Sequence, residues 1–202
     1  MKRYIQGTLK YRRPNSSQIT LGSRKKDDSL NDFYASPPFI IDYLLKEETF
    51  DKNVWECACG TGNLSKRLED YGYNVLSTDL VDRGFGTGGV DFLECTEKFE
   101  GDIITNPPFN LVNQFIPKAI KLTKRKVAFF CKVQLLETVS RYKNIHSVYP
   151  FSKMYVFVRR VRCYEMGKDD KKYHSAICYC WFIWDKEYDG EPIVRWIFNE
   201  NQ

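Results

Sequence analysis

At 202 residues, 43% apolar and 15% aromatic, the chain is long enough for one α/β domain with a full core, short for two, and too aromatic for disorder. No apolar run approaches the roughly 20 residues that cross a bilayer, and the opening MKRYIQGTLKYRRPNSS has no apolar core for a signal peptide, so neither a membrane span nor secretion is expected. The net charge of +5 conceals blocks of opposite sign: +6 over 1–30, −9 over 31–117, +11 over 118–172 and −3 over 173–202.

Residues 1–30 are polar, basic and unpatterned and read as a flexible arm. Tyr4, Tyr11, Arg12 and Arg13 mix groups that stack on bases with groups that pair with phosphates. Residues 31–202 read as one domain. Ser36-Pro37-Pro38 predicts a helix start with Ser36 as its cap, followed by a helix over Phe39–Lys46 that buries Ile40, Ile41, Leu44 and Leu45. Asn53–Cys57 is strand-like, Asn63–Tyr71 helical and Asn74–Thr78 a second strand; a short third strand is expected to end at Asp91. Asp102–Thr105 is the next strand. The helix after it, Leu111–Leu122, carries Leu111, Phe115, Ile116, Ala119 and Ile120 on one stripe. Lys126–Lys132 reads as a strand, and Leu135–His146 is expected to contain a helix. Met154–Val161, Ala176–Trp184 and Ile193–Phe198 are then strand-like, with no intervening helix long enough for a crossover. Parallel β/α units followed by antiparallel strands predict a mixed, mostly parallel sheet with an antiparallel edge.

Cys57, Cys59, Cys95, Cys131, Cys163, Cys178 and Cys180 are an odd set dispersed through apolar segments, as reduced core thiols would be. The pairs Cys57-x-Cys59 and Cys178-x-Cys180 lack both the spacing of about two to four residues and the neighbouring histidine of zinc pairs, so no metal is expected. Two basic blocks flanking an acidic one predict a bipolar surface, one side suited to a polyanion and the other to a cation or a neutral cofactor. For Lys121, Lys124, Arg125 and Lys126 a solvated helix end explains the cluster equally well. Arg159, Arg160 and Arg162 interrupt an apolar strand; with Lys132 they are the candidate nucleic-acid contacts.

Strand Val54–Cys57 runs into Gly60-Thr61-Gly62 and a helix, which brings backbone close to a ligand at a helix N-terminus; alone, the pattern is equally a plain strand–helix turn. Acids at successive strand ends sharpen it. Glu56 precedes the turn, Asp79 ends the second strand, and Asp91 with Phe92 ends the third. A carboxylate at the second strand's end can accept hydrogen bonds from a ribose diol, and an acid beside an apolar residue can hold an adenine amine and pack its ring. Phosphate loops fit poorly, because there is no Gly-Lys-Ser/Thr and no third glycine of the dinucleotide fingerprint. Gly84–Gly89 reads as a lip over this site or simply a connector. Asp102–Thr105 then ends in Asn106-Pro107-Pro108-Phe109. Two prolines stiffen the loop and remove donors, so the Asn106 side-chain oxygen and the Pro107 carbonyl can accept from one planar amine while Phe109 stacks on the ring that carries it.

Glu56-Cys57-Ala58-Cys59-Gly60-Thr61-Gly62, Asp79 with Leu80, and Asp91-Phe92 resemble three motifs of the class I S-adenosylmethionine-dependent methyltransferases. Asn106-Pro107-Pro108-Phe109 resembles the motif of enzymes that methylate exocyclic adenine amines, and Phe33-Tyr34-Ala35-Ser36-Pro37 the extra N-terminal motif of gamma-type DNA adenine enzymes. With Arg159-Arg160-Val161 and Trp181-Phe182-Ile183-Trp184-Asp185, the set over residues 33–198 is similar to small phage and prophage DNA adenine methyltransferases. The resemblance implies a Rossmann-like, mostly parallel seven-stranded sheet with helices on both faces, and S-adenosyl-L-methionine as cofactor. Asp79 would hold its ribose, Asp91 its adenine amine, and Tyr34, Ser36 and Pro37 its methionine end. It further implies methyl transfer to the N6 amine of adenine in DNA by Asn106, Pro107, Pro108 and Phe109. A monomer or weak dimer in the cytoplasm of a bacterial host is expected, with no separate target-recognition domain. RNA adenine, a protein glutamine, or a non-catalytic nucleic-acid-binding role stay open as alternatives.

Overall fold

The structure, a computed structural model, describes residues 34–165 and 177–199; the basic arm at 1–30, His174 and Ala176 lie outside the described residues. Its main sheet has seven strands in the order β3-β2-β4-β5-β8-β6-β9: β2 (Asn53–Glu56), β3 (Asn74–Ser77), β4 (Asp102–Thr105), β5 (Lys126–Lys132), β6 (Lys153–Phe157), β8 (Tyr179–Asp185) and β9 (Ile193–Ile197). A separate ribbon pairs β1 (Tyr34–Ala35) with β7 (Tyr164–Glu165).

Burial on both sides explains the strand sequences. In β5, Val127, Phe129 and Cys131 face one core cluster while Ala128 and Phe130 face the other; a strand covered on both faces reads as a continuous apolar run. Helices α1 (Phe39–Glu47) and α2 (Asn63–Asp70) cover one face through Ile40, Ile41, Leu44, Leu64 and Leu68. Helix α3 (Val112–Leu122) covers the other through Val112, Phe115, Ile116, Ala119 and Leu122. At the amino edge, buried Glu48 joins three elements: it accepts from Lys126 Nζ at 2.5 Å, Lys153 Nζ at 2.6 Å and the Tyr155 hydroxyl at 2.7 Å.

Several expectations need correction. The reversed strand, β8, lies inside the sheet between β5 and β6, and β9 runs parallel to β6 at the margin. No strand ends at Asp91. Gly84, Gly86 and Gly89 all take positive φ, so this stretch coils; Thr87 makes a single bridge to Thr78, and the Asp91 carboxylate caps a 3-10 turn at Phe92–Glu94. The helix expected within 135–146 is broken into a 3-10 turn (Val133–Leu136), one α-turn (Val139–Arg141) and a π-turn (Tyr142–His146). Thr138 at φ 86° has a left-handed backbone that no helix passes through. β6 stops at Phe157, because the Asn199 side chain then grips the Arg159 backbone, accepting from its N–H at 2.8 Å and donating to its carbonyl at 3.0 Å. Arg159, Arg160 and Arg162 therefore follow a strand and do not interrupt one.

Candidate active site

Parallel strands end on the same edge of a sheet, and the crevice beyond that edge is where open α/β folds bind ligands. β2 ends at Glu56, β3 at Ser77 with Asp79 two residues on, β4 at Thr105 with Asn106 next, β5 at Lys132, and β6 at Phe157 with Arg159 and Arg160 following. Along the strand order this sets carboxylates above β3 and β2, the diproline loop above β4, and cations above β5 and β6. The charge blocks of the sequence become a gradient along one edge.

A cleft on this edge is walled by Glu56, Cys57, Ala58, Asp79, Leu80, Asp91 and Phe92 on one side, and by Ser36 and Asn106 to Phe109 on the other. The two sequence motifs thus share one cavity. Gly60, Gly62 and Pro37 are not part of its wall. Thr61, within the glycine motif, is, as are Asn63, Arg83 and Phe115, for which only nearness to motif residues is a signal.

Asp79 is buried and closely engaged. Its Oδ2 accepts from Gly60 N at 2.8 Å, and its Oδ1 from Val81 N at 2.8 Å and Arg83 Nη1 at 3.2 Å. The residue expected to receive a ribose also pins the glycine turn to the end of β3. Gly62 has φ 81°, and a Cβ there would collide with the Phe85 ring, so the close approach demanding glycine comes from the protein's own Gly84–Gly89 segment. That segment is held by hydrogen bonds from Thr87 N to the Ser77 carbonyl and from Asp79 N to the Thr87 carbonyl. Glu56 is 2% exposed and accepts from the Ser65 hydroxyl; burial pushes its carboxyl up to about 8 against that bond, with the neighbouring Asp79 charge adding to the rise. Asp91 accepts from Leu93 N at 2.9 Å, and Phe92 packs into the core against Trp55 and Phe115 while its edge reaches the cleft.

The diproline loop is tied to the N-terminal segment. Asn106 Nδ2 donates to the Ser36 hydroxyl at 2.8 Å, and Asn63 Nδ2, on the first turn of α2, donates to the Ser36 carbonyl at 3.0 Å. Ser36 therefore bridges the glycine turn and the loop after β4. It does not cap α1, whose N-cap Pro38 makes no side-chain bond. The backbone of Tyr34 pairs with Glu165 in the β1–β7 ribbon, and its side chain is outside the described residues. Phe109 lies 5.8 Å from the Tyr179 ring, Tyr179 stacks on Phe130, and Lys132 Nζ sits 4.1 Å above the centre of the Phe109 ring. Arg159, Arg160 and Arg162 are exposed on the same edge.

The 121–126 cluster does not act as one group. Lys126 is buried against Glu48 and Asp185, and Arg125 pairs with buried Asp102. All seven cysteines are free thiols; Cys57, Cys59, Cys131 and Cys180 are buried, and burial pushes the Cys59 thiol up to about 12. Among the described residues no three His, Cys, Asp or Glu side chains assemble as a metal site, and no helix is long and apolar enough to cross a membrane. His146 bonds the Leu135 carbonyl at 3.0 Å, away from the cleft.

No protein-family model matches the chain, and no curated protein matches it in sequence. Solved structures do match. A provisionally assigned RNA methyltransferase, PH1948 from Pyrococcus horikoshii, superposes with a TM-score of 0.56 at 16% identity, over 84% of this chain and 94% of that one. The modification subunit of a provisionally assigned type I restriction enzyme from Vibrio vulnificus gives 0.58 at 12% identity over 88% of this chain, which spans about half (49%) of that subunit. A protein from Lactococcus lactis provisionally assigned as a hemolysin gives 0.51 at 13% identity. Names this diverse at such identities carry the architecture alone. The chain has the Rossmann-like α/β fold of the class I methyltransferases.

Proposed function

We propose that the chain is an S-adenosylmethionine-dependent methyltransferase acting on the N6 amine of adenine in nucleic acid, with DNA as the polymer. The observation that carries this reading is the shared cleft: carboxylates at the ends of β2 and β3 and an Asn-Pro-Pro-Phe loop after β4 face one cavity.

The residues present suit the cofactor. Asp79 and Asp91 line the cleft and give it the negative character that suits a sulfonium ligand, with the buried Glu56 carboxyl beside them. Asp79 would hold the ribose hydroxyls, Asp91 and Phe92 the adenine, and the Ser36 side the methionine end. When bound, the cofactor supplies an already activated methyl group, so the protein contributes orientation and polarisation. The Asn106 carboxamide oxygen and the Pro107 carbonyl would accept the two amine N–H bonds. That aims the nitrogen lone pair at the methyl group, and the proton leaves to water. No side chain is needed as a strong base.

An adenine within a duplex cannot reach this recess, so the base must be extruded or already unpaired. Lys132, Arg159, Arg160 and Arg162, on the cationic half of the edge, would carry the phosphates. Those cations suit RNA equally, which keeps RNA adenine as the second reading. The test is label transfer from tritiated S-adenosylmethionine to unmethylated DNA and to RNA, with nucleoside digestion. Methylated deoxyadenosine supports the proposal, methylated adenosine the second reading, and absence of product from both polymers removes the enzymatic one.

A further inference from the structure

The ammonium of Lys132 lies 4.1 Å from the centroid of the Phe109 ring, over its face. Lys132 is the last residue of β5 and is paired in register with Tyr179, the first residue of β8. Tyr179 in turn rests against Phe109 at 5.8 Å, with the two rings inclined by 35°, and stacks on Phe130 at 5.2 Å. The rings Phe130, Tyr179 and Phe109 thus form an aromatic ladder from the core to the cleft, and the charge sits on its outermost ring. A purine stacking on Phe109 needs an open ring face, and a cation over such a face is itself held there by attraction to the ring's negative face.

We infer that Lys132 is a target-positioning residue that exchanges places with the base: it covers the Phe109 face before substrate arrives, and the incoming adenine displaces it onto the flanking phosphate. This rests on the functional reading above. The exchange spares the protein an exposed aromatic face beside a cationic surface. It also couples base insertion to a new phosphate contact, so a polyanion bound without an inserted base gains less from Lys132. β5 fixes where the side chain starts, and its flexible stem allows the ammonium to move between ring and phosphate.

The experiment compares the full-length parent, Lys132→Met, Lys132→Arg and Asn106→Ala, using unmethylated bacterial genomic DNA and tritiated cofactor. Lys132→Met keeps the apolar stem and removes the charge. The expected result is a KM for DNA raised about tenfold with kcat within about twofold, and a salt dependence of DNA binding shallower by about one unit. Cofactor affinity, measured by calorimetry, should stay within about twofold of the parent, which also verifies folding, and Lys132→Arg should restore most of the loss. A Lys132→Met protein with parental KM and salt slope, or with tighter DNA binding, overturns the inference while the activity of the parent leaves the functional reading standing. An inactive parent overturns both.

Discussion

Ser36 and Asn106, 70 positions apart in the chain, are joined by a 2.8 Å hydrogen bond from the Asn106 amide to the Ser36 hydroxyl. A carboxamide that donates on one side presents its oxygen on the other, so the bond sets which atom of Asn106 meets a substrate amine. Because the Ser36 carbonyl is held by Asn63 at the glycine turn, the same residue sets the spacing between the two halves of the cleft.

Replacing Ser36 with Ala removes the acceptor and lets the carboxamide rotate. Turnover should fall about tenfold or more, a larger change than any in cofactor Kd, and Ser36→Thr should retain activity. Steady-state kinetics with calorimetry checks this; equal kcat for Ser36→Ala and the parent would dismiss the positioning role.

Glu56 gives a pH dependence whose sign can be derived. Its carboxyl in the folded protein titrates near 8, raised from the usual range chiefly by burial, so it is neutral below that pH. A cationic ligand favours the carboxylate, so cofactor binding should release a proton and tighten as pH rises from about 6.5 to 8.5. The stability of the ligand-free protein should run the other way. The contribution from the neutral buried acid is complete below its unfolded value of 4.5 and is lost as pH rises through about 8. Calorimetry in two buffers of different ionisation enthalpy measures the released proton, and Glu56→Gln should abolish it.

Asp79→Asn keeps the shape of the side chain but removes the charge that organises Gly60, Val81 and Arg83. Cofactor affinity should drop at least about tenfold and stability by about 1–3 kcal/mol, the cost of weakening buried charge-assisted hydrogen bonds. Titration calorimetry and urea denaturation report the two effects separately. Unaltered affinity would exclude Asp79 from the ribose contact.

At the opposite edge, Glu48→Ala leaves Lys126 buried with Asp185 as its remaining carboxylate partner and removes an acceptor from Lys153 and Tyr155. Breaking a buried ion pair from one side costs about 3–5 kcal/mol. The denaturation midpoint should fall accordingly, while cofactor affinity, governed by the far edge, stays unchanged.

What the sequence made legible follows local pattern. Strands Asp102–Thr105 and Lys126–Lys132 have the expected limits because short apolar runs bounded by loop residues admit one reading. The glycine turn and the diproline loop were visible as motifs, and strand direction alone brings them to one edge. The missing strand before Asp91 and the broken helix after Leu135 were not legible, since each is decided by backbone angles at a few residues such as Gly86 and Thr138. Ser-Pro-Pro locally supports Ser36 as a helix cap; its partner Asn106 is a long-range choice that no local window contains. The same holds for Lys126: its charge suits a surface as well as a core, and its buried partner Glu48 lies 78 positions away.

The most direct test of the central claim is methyl transfer by Asn106→Ala alongside cofactor binding by the same protein. Turnover on unmethylated DNA should fall roughly a hundredfold or more, with cofactor Kd within about twofold of the parent. Parental turnover in Asn106→Ala would contradict the account, because an amine methylated equally well without that carboxamide is not being held by the loop after β4.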